Sequence, residues 1–94
     1  MEQKKTKITC VITSYNEEMK IARALDSVLN QTLSVDEIII IDDYSSVNVT
    51  SFIDTNILKK NNNLIKIKRL KKNYGPSYTR NLGIEMSSGD LIAF

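Results

Sequence analysis

Glu37-Ile38-Ile39-Ile40-Ile41-Asp42-Asp43 is the stretch on which the fold turns. Four consecutive isoleucines have no polar face to offer to water, so a strand made of them is covered on both sides. The acids and Ser45-Ser46 end it abruptly. This reads as the central strand of a parallel sheet, over Glu37–Asp42. Upstream, Ile8 to Ile12 is also apolar and rich in β-branched residues, and Lys7–Ser14 reads as a second buried strand. Between the two, Ile21, Ala22, Leu25, Val28 and Leu29 recur at helical spacing, giving an amphipathic helix over Glu17–Gln31. Asn16 is positioned to cap it, with Glu17 and Glu18 favourable in the first turn.

Downstream, Val49, Phe52, Ile53 and Ile57 form another helical stripe that ends near the turn signal Asn61–Asn63. Leu64–Leu70 is a third strand. Its Lys66 and Lys68 lie on one face, so it is expected at a more exposed or edge position. Pro76 suits the first turn of a helix that runs to about Ser88, with Gly89 as its stop. Asp90–Phe94 opens a fourth strand. Strand and helix alternate three times before the last strand, which implies an α/β fold with right-handed crossovers.

Composition narrows the chemistry. The chain has 94 residues, 13 Lys plus Arg, 11 Asp plus Glu, one Cys and no His. Without His, neither a Ser-His-Asp or Cys-His catalytic group nor the usual His/Cys zinc site can form. One Cys rules out a disulfide framework and suits a reducing compartment; Cys10, inside a buried strand, reads as a small core residue. A net charge of +2 does not by itself point to nucleic acid or a membrane. The apolar runs Ile38–Ile41 and Leu91–Phe94 are far below the roughly 20 residues of a membrane-spanning helix, and a cytoplasmic location is expected. Asn48-Val49-Thr50 matches a glycosylation sequon but has no secretion signal beside it.

In parallel α/β sheets ligands bind beyond the carboxyl ends of the strands. Those ends collect Tyr15, Asn16, Glu17, Asp42, Asp43, Ser45, Asn73 and Gly75. Asp42 and Asp43 point to opposite faces, so one at most meets a ligand squarely while the other caps a turn. Such a carboxylate can accept hydrogen bonds from ribose hydroxyls or a base N–H; it can equally end a strand and open a loop, and the residues leave both readings open. Thr13–Glu17 likewise suits a phosphate or simply a helix cap. There is no G-x-G-x-x-G and no G-x-x-x-x-G-K-[ST]. Arg80, the only Arg after Arg69, can approach a diphosphate from its helix, or lie on the surface while Gly83 permits close packing. Seven basic residues lie from Lys59 to Lys72, with no acid between Asp54 and Glu85. No aromatic interleaves them before Tyr74, which favours a solvated edge over a nucleic-acid patch.

Taken together the motifs resemble the amino-terminal half of the family 2 glycosyltransferases, which have the GT-A fold. Ile8–Glu17 looks like that family's first strand and its T-x-Y-N-E-like exit. Ser27–Thr32 is similar to its S-[IV]-L-x-Q-T helix end, and Ile38–Ser46 to its I-I-V-V-D-D-G-S strand, with Tyr44 where Gly is usual. Asn73-x-Gly75, Thr79-Arg80-Asn81-x-Gly83 and Ser88–Phe94 resemble its later segments. The resemblance implies a Rossmann-like sheet of order 3-2-1-4 and a transferase using a nucleotide-sugar donor, often a UDP-sugar. Thr13, Tyr15 and Glu17 would line the nucleotide pocket and Asp43 would hold base or ribose. Arg80 and the Asn73–Gly75 loop would close over it. It also implies Mg²⁺ or Mn²⁺ on a D-x-D motif that would begin just past Phe94, with the general base and the site for a glycan or lipid-linked acceptor further on. Residues 1–94 are thus expected to be one truncated domain, a donor half without catalytic or metal-binding residues of its own, inactive alone and prone to self-associate through its fourth strand. A non-catalytic nucleotide-binding module of the same fold is the alternative. A receiver-like signalling domain would carry its acid pair after the first strand, not the second.

Overall fold

A computed structural model describes residues 6–30 and 35–94. Its elements run β1 (Ile8–Ser14), α1 (Glu18–Leu29), β2 (Glu37–Asp42), a 3-10 turn (Val49–Phe52), α2 (Thr55–Lys60), β3 (Ile65–Arg69), α3 (Pro76–Met86) and β4 (Leu91–Ala93). The four strands form one sheet in the order β3-β2-β1-β4. Every pairing is parallel, with Val11 opposite Ile39, Ile40 opposite Ile67 and Thr9 opposite Ile92. This is the α/β architecture and strand order that the alternation and the family resemblance imply.

The isoleucine run explains why the sheet has two covered faces. Ile38 and Ile40 join Ile21 and Leu25 of α1, together with Val49, Ile53 and Ile65. Ile39 and Ile41 point the other way, to Val11, Leu70 and the flank of α3 formed by Leu82 and Met86. All four isoleucines are wholly buried. At about 1.5–3 kcal/mol for each fully buried side chain, β2 supplies a large part of the apolar driving force. Cys10 is also buried, and burial pushes its thiol pKa up, which fits a packing role rather than a nucleophile.

Several boundaries differ from those the sequence suggests, each for a local reason. The helical stripe from Val49 to Ile57 breaks in two. Ile53 adopts an extended conformation that sends its side chain into the core, and Asp54 caps a new helix by accepting from the Asn56 N–H at 2.7 Å. Asn48 caps the 3-10 turn, accepting from the Thr50 N–H at 3.1 Å. α3 ends at Met86, before Gly89, so this glycine is not the helix stop. A Cβ on Gly89 would meet Thr9 Oγ1 at 2.4 Å and its backbone nitrogen at 2.8 Å, so the residue lets the chain cross closely over β1. Gly83 does the same for α3, where a Cβ would lie 2.4 Å from Val11 Cγ1. The expected helix end at Gln31 and part of the Ser27–Thr32 motif lie outside the described residues. β3 is an edge strand with Lys66 and Lys68 exposed, in line with its basic face.

A buried carboxylate ties the opposite end of the sheet together. Glu37 accepts from the Thr9 hydroxyl at 2.9 Å, from the Ser88 N–H at 2.9 Å and from Lys66 Nζ. One side chain of β2 thereby holds β1, β3 and the segment that leads into β4. Burial raises its pKa, but the Lys66 ammonium, the Ser88 N–H and the Thr9 hydroxyl outweigh that and hold the carboxyl at about 2.

Candidate functional site

β1 leaves the sheet through Tyr15 and Asn16. Asn16 takes φ 53, a left-handed conformation that asparagine tolerates better than most residues. Its N–H donates to Ser45 Oγ at 2.9 Å, and its side-chain Oδ1 accepts from the Ser46 N–H at 2.8 Å. Asn16 therefore stitches the exit of β1 to the exit of β2 and does not cap α1. Glu17 occupies the cap position, without a side-chain cap bond.

The two aspartates divide their work as opposite-facing neighbours must. Asp42 is fully buried, and its Oδ1 accepts from the Ser45 N–H at 3.0 Å and its Oδ2 from the Val49 N–H at 3.1 Å. Arg69 Nε lies 3.5 Å from the same Oδ2, while its guanidinium donates to the Ser45 carbonyl at 2.6 Å. Asp42 thus builds the turn after β2. Tyr44, which stands where the family pattern has Gly, sits in that turn at φ 64. A left-handed non-glycine residue costs about 1–2 kcal/mol, and the Arg69 guanidinium 5.6 Å from its ring centre offsets part of this.

Asp43 reaches across to the loop after β3. Its Oδ1 accepts from the Tyr74 N–H at 2.8 Å and its Oδ2 from the Gly75 N–H at 2.9 Å. Gly75 has φ 94, which a glycine reaches without strain, and it leads straight into Pro76 at the start of α3. Each carboxylate oxygen has two acceptor positions, so after both backbone bonds Asp43 keeps capacity to accept from a ligand donor.

These elements enclose an open cleft of about 380 Å³ at the carboxyl end of the sheet. Six of the ten candidate residues line it: Thr13, Tyr15, Glu17, Asp43, Asn73 and Gly75. Asn16, Asp42 and Ser45 stand behind its wall and shape the turns that form it. Arg80 does not line it; the side chain lies on α3 with its guanidinium 5.4 Å from the Phe94 ring centre. Ser14, within the Thr13–Glu17 stretch, also lines it, and Pro76 and Thr79, which the sequence does not single out as site residues, complete the lining. Thr79 is buried, and its hydroxyl donates to the Pro76 carbonyl at 3.0 Å. The one signal for it was its place, three residues into a helix that begins at the cleft. Among the described residues no group of three or more His, Cys, Asp and Glu is placed to hold a metal ion. The family resemblance assigns its divalent cation to a D-x-D motif outside these residues, and none of them is given a part in holding it.

The sequence model of the family described as Glycosyl transferase family 2 matches residues 9–94. Among curated proteins, the chain is 41% identical over 91 residues to the poly(ribitol-phosphate) beta-N-acetylglucosaminyltransferase TarP of Staphylococcus aureus, covering 94% of this chain and 27% of that protein. It is 37% identical over 90 residues to a poly(ribitol-phosphate) beta-glucosyltransferase of Bacillus spizizenii, covering 94% of this chain and 14% of that one. A beta-1,3-glucosyltransferase of Campylobacter jejuni acting on GalNAc(5)-diNAcBac-PP-undecaprenol is 31% identical over 90 residues, with 94% and 28% covered. Among solved structures, a mannosyltransferase of Pyrobaculum calidifontis in complex with GDP-Man and Mn²⁺ superposes with a TM-score of 0.80 at 18% identity, over 95% of this chain and 26% of that one. The fold is shared, and the chain spans about a quarter or less of the length of these curated relatives. With the family model matched from the second residue of β1 to the last residue of the chain, the protein belongs to glycosyl transferase family 2.

Proposed function

We propose that the cleft is the nucleotide part of a donor site, and that the protein serves transfer of a sugar from a nucleotide-sugar, a UDP-sugar, to an acceptor hydroxyl in the synthesis of a cell-envelope glycan on the cytoplasmic side of the membrane. The observation that carries this reading is Asp43. Among the described residues it is the one acid that both lines the cleft and fastens the Asn73–Gly75 loop, so a ligand donor bonded to it is bound by a carboxylate already held in place. Thr13 and Tyr15 supply a hydroxyl and a half-exposed ring on the β1 side. The ring gives a base or ribose apolar area to cover, and the hydroxyl gives it a polar partner.

On this reading the described residues bind and orient the donor. No residue among them is assigned the role of base, and no step is routed through a metal. Family membership and relatives that transfer GlcNAc or glucose support transfer as the activity of the whole protein. The 94-residue chain itself is expected to bind nucleotide without turning over a sugar donor.

Calorimetric titration of UDP into the chain tests this. Saturable binding that weakens at least tenfold in Asp43→Asn, with the circular dichroism spectrum unchanged, is the expected result. No binding of UDP or GDP, or equal binding by the variant, would overturn the assignment. Sugar release from a UDP-sugar by the purified chain would overturn the expectation of binding alone.

A further inference from the structure

Asp43, the acid that carries the donor reading, lies in a turn that one side chain outside the cleft grips on both flanks. Arg69 stands at the end of β3, directly opposite Asp42 in the strand register. Its Nη2 donates to the Ser45 carbonyl at 2.6 Å, and its Nε lies 3.5 Å from Asp42 Oδ2. Its guanidinium carbon is 5.6 Å from the Tyr44 ring centre. Asp42 precedes Asp43 in the chain, and Tyr44 and Ser45 follow it. Arg69 itself does not line the cleft.

The hold passes on to β1. Ser45, fixed through its carbonyl, accepts the Asn16 N–H on Oγ at 2.9 Å, and the Ser46 N–H donates to Asn16 Oδ1 at 2.8 Å. Asn16 lies between Tyr15 and Glu17, both of which line the cleft. On the other side, the Asp43 carboxylate accepts from the Tyr74 and Gly75 N–H groups. Both walls of the cleft therefore hang from residues 42–46. Two bends in these connections are left-handed at non-glycine residues, Asn16 at φ 53 and Tyr44 at φ 64. Such conformations persist only where surrounding contacts over-determine them. At Tyr44 the contact comes from Arg69. A planar guanidinium can serve a carboxylate, a carbonyl and a ring face at once, which the point charge of a lysine cannot.

We infer that Arg69 is a positioning residue for the donor site: acting through Ser45 and Asn16, it sets where the Tyr15–Glu17 wall and the Asp43 carboxylate stand. The inference rests on the proposed donor site, because that site's walls are what it positions. The bonds from Asp42 to the Ser45 and Val49 N–H groups close the turn on itself. Arg69 instead ties the turn to β3, the strand from which the Asn73–Gly75 loop departs. One side chain thus fixes the turn relative to the loop that Asp43 fastens. The competing outcome is that Arg69 only neutralises the buried Asp42 and matters for stability alone.

The experiment is calorimetric titration of UDP into the full chain, paired with amide NMR spectra recorded without nucleotide. Arg69→Met should weaken UDP binding by the folded protein about fivefold, a part of the roughly hundredfold that misplacing a positioned group by about 1 Å can cost. Arg69→Gln takes its place if that variant does not fold. The Asn16 and Ser46 amide resonances should shift in the same variant. Arg69→Lys, which can keep one of the two polar contacts, should recover part of the lost affinity. Ile53→Val, which thins the core under α1 away from the cleft, should lower stability but leave UDP affinity within about twofold. The inference alone is overturned if the unaltered chain binds UDP and Arg69→Met binds equally well. It is also overturned if the Asn16 and Ser46 amides do not move, if Arg69→Lys recovers nothing, or if Ile53→Val loses as much affinity as Arg69→Met. If the unaltered chain binds no UDP, the donor reading fails and the inference falls with it.

Discussion

Glu37 gives the sharpest quantitative test of how this sheet is held. Its carboxyl falls from an ordinary 4.5 to about 2 in the folded chain. At 1.36 kcal/mol per tenfold, that depression is equivalent to about 3 kcal/mol of stability at neutral pH. Lys66 is half-exposed, with 52% of its side chain accessible, and water screens its share, which brings the figure to about 2 kcal/mol. Because the folded pKa lies below the unfolded one, the contribution is complete above about pH 4.5 and is lost as the pH falls from there toward 2. Glu37→Gln keeps the shape and an oxygen for Thr9 and Ser88 but removes the charge. Its melting temperature should drop by about 8–16 °C at pH 7 for a domain of this size. Urea unfolding of both proteins across the pH range is the assay. The stability gap between them should close as the pH falls below about 3. A gap that stays constant down to that pH would refute the reasoning, since the effect would then be shape and not charge.

Other expectations follow from single contacts. Gly83→Ala should destabilise the protein by about 1–3 kcal/mol in urea unfolding, because the new Cβ lies 2.4 Å from Val11 Cγ1; combining it with Val11→Ala should recover part of the loss. Asp42→Asn should cost about 1–3 kcal/mol by giving the Ser45 or Val49 N–H a donor to face, yet change the affinity of the folded protein for UDP far less than Asp43→Asn does. Arg80→Ala should leave UDP affinity within about twofold by calorimetry, since the side chain packs on Phe94 outside the cleft.

The chemistry of single positions was legible where one physical demand dominates. A run of four isoleucines can only be a strand covered on both faces, and so the sheet's centre and the alternation around it could be read directly. The neighbouring aspartates had to diverge. Gly83 in mid-helix pointed to close packing. What the stripe of Val49, Phe52, Ile53 and Ile57 hid was a break, because periodicity counts apolar spacing and does not register a local cap such as Asp54. Gly89 looked like a helix stop because the contact it makes is with Thr9, 80 residues earlier in the chain.

The two-faced core and the place of a binding edge were therefore determined by the sequence, through burial patterns that any fold of this chain must satisfy, whereas the strand order was implied only by the family resemblance. Which residues meet at that edge was decided only in three dimensions. Asp43 becomes a cleft residue because the Tyr74 and Gly75 N–H groups reach it from the loop after β3. Asp42 and Asn16 are drawn into the turns behind it, and Arg80 is left against Phe94. The reason is that a polar side chain goes to whichever partners the packed backbone leaves unsatisfied, and those partners are set by strands distant in sequence.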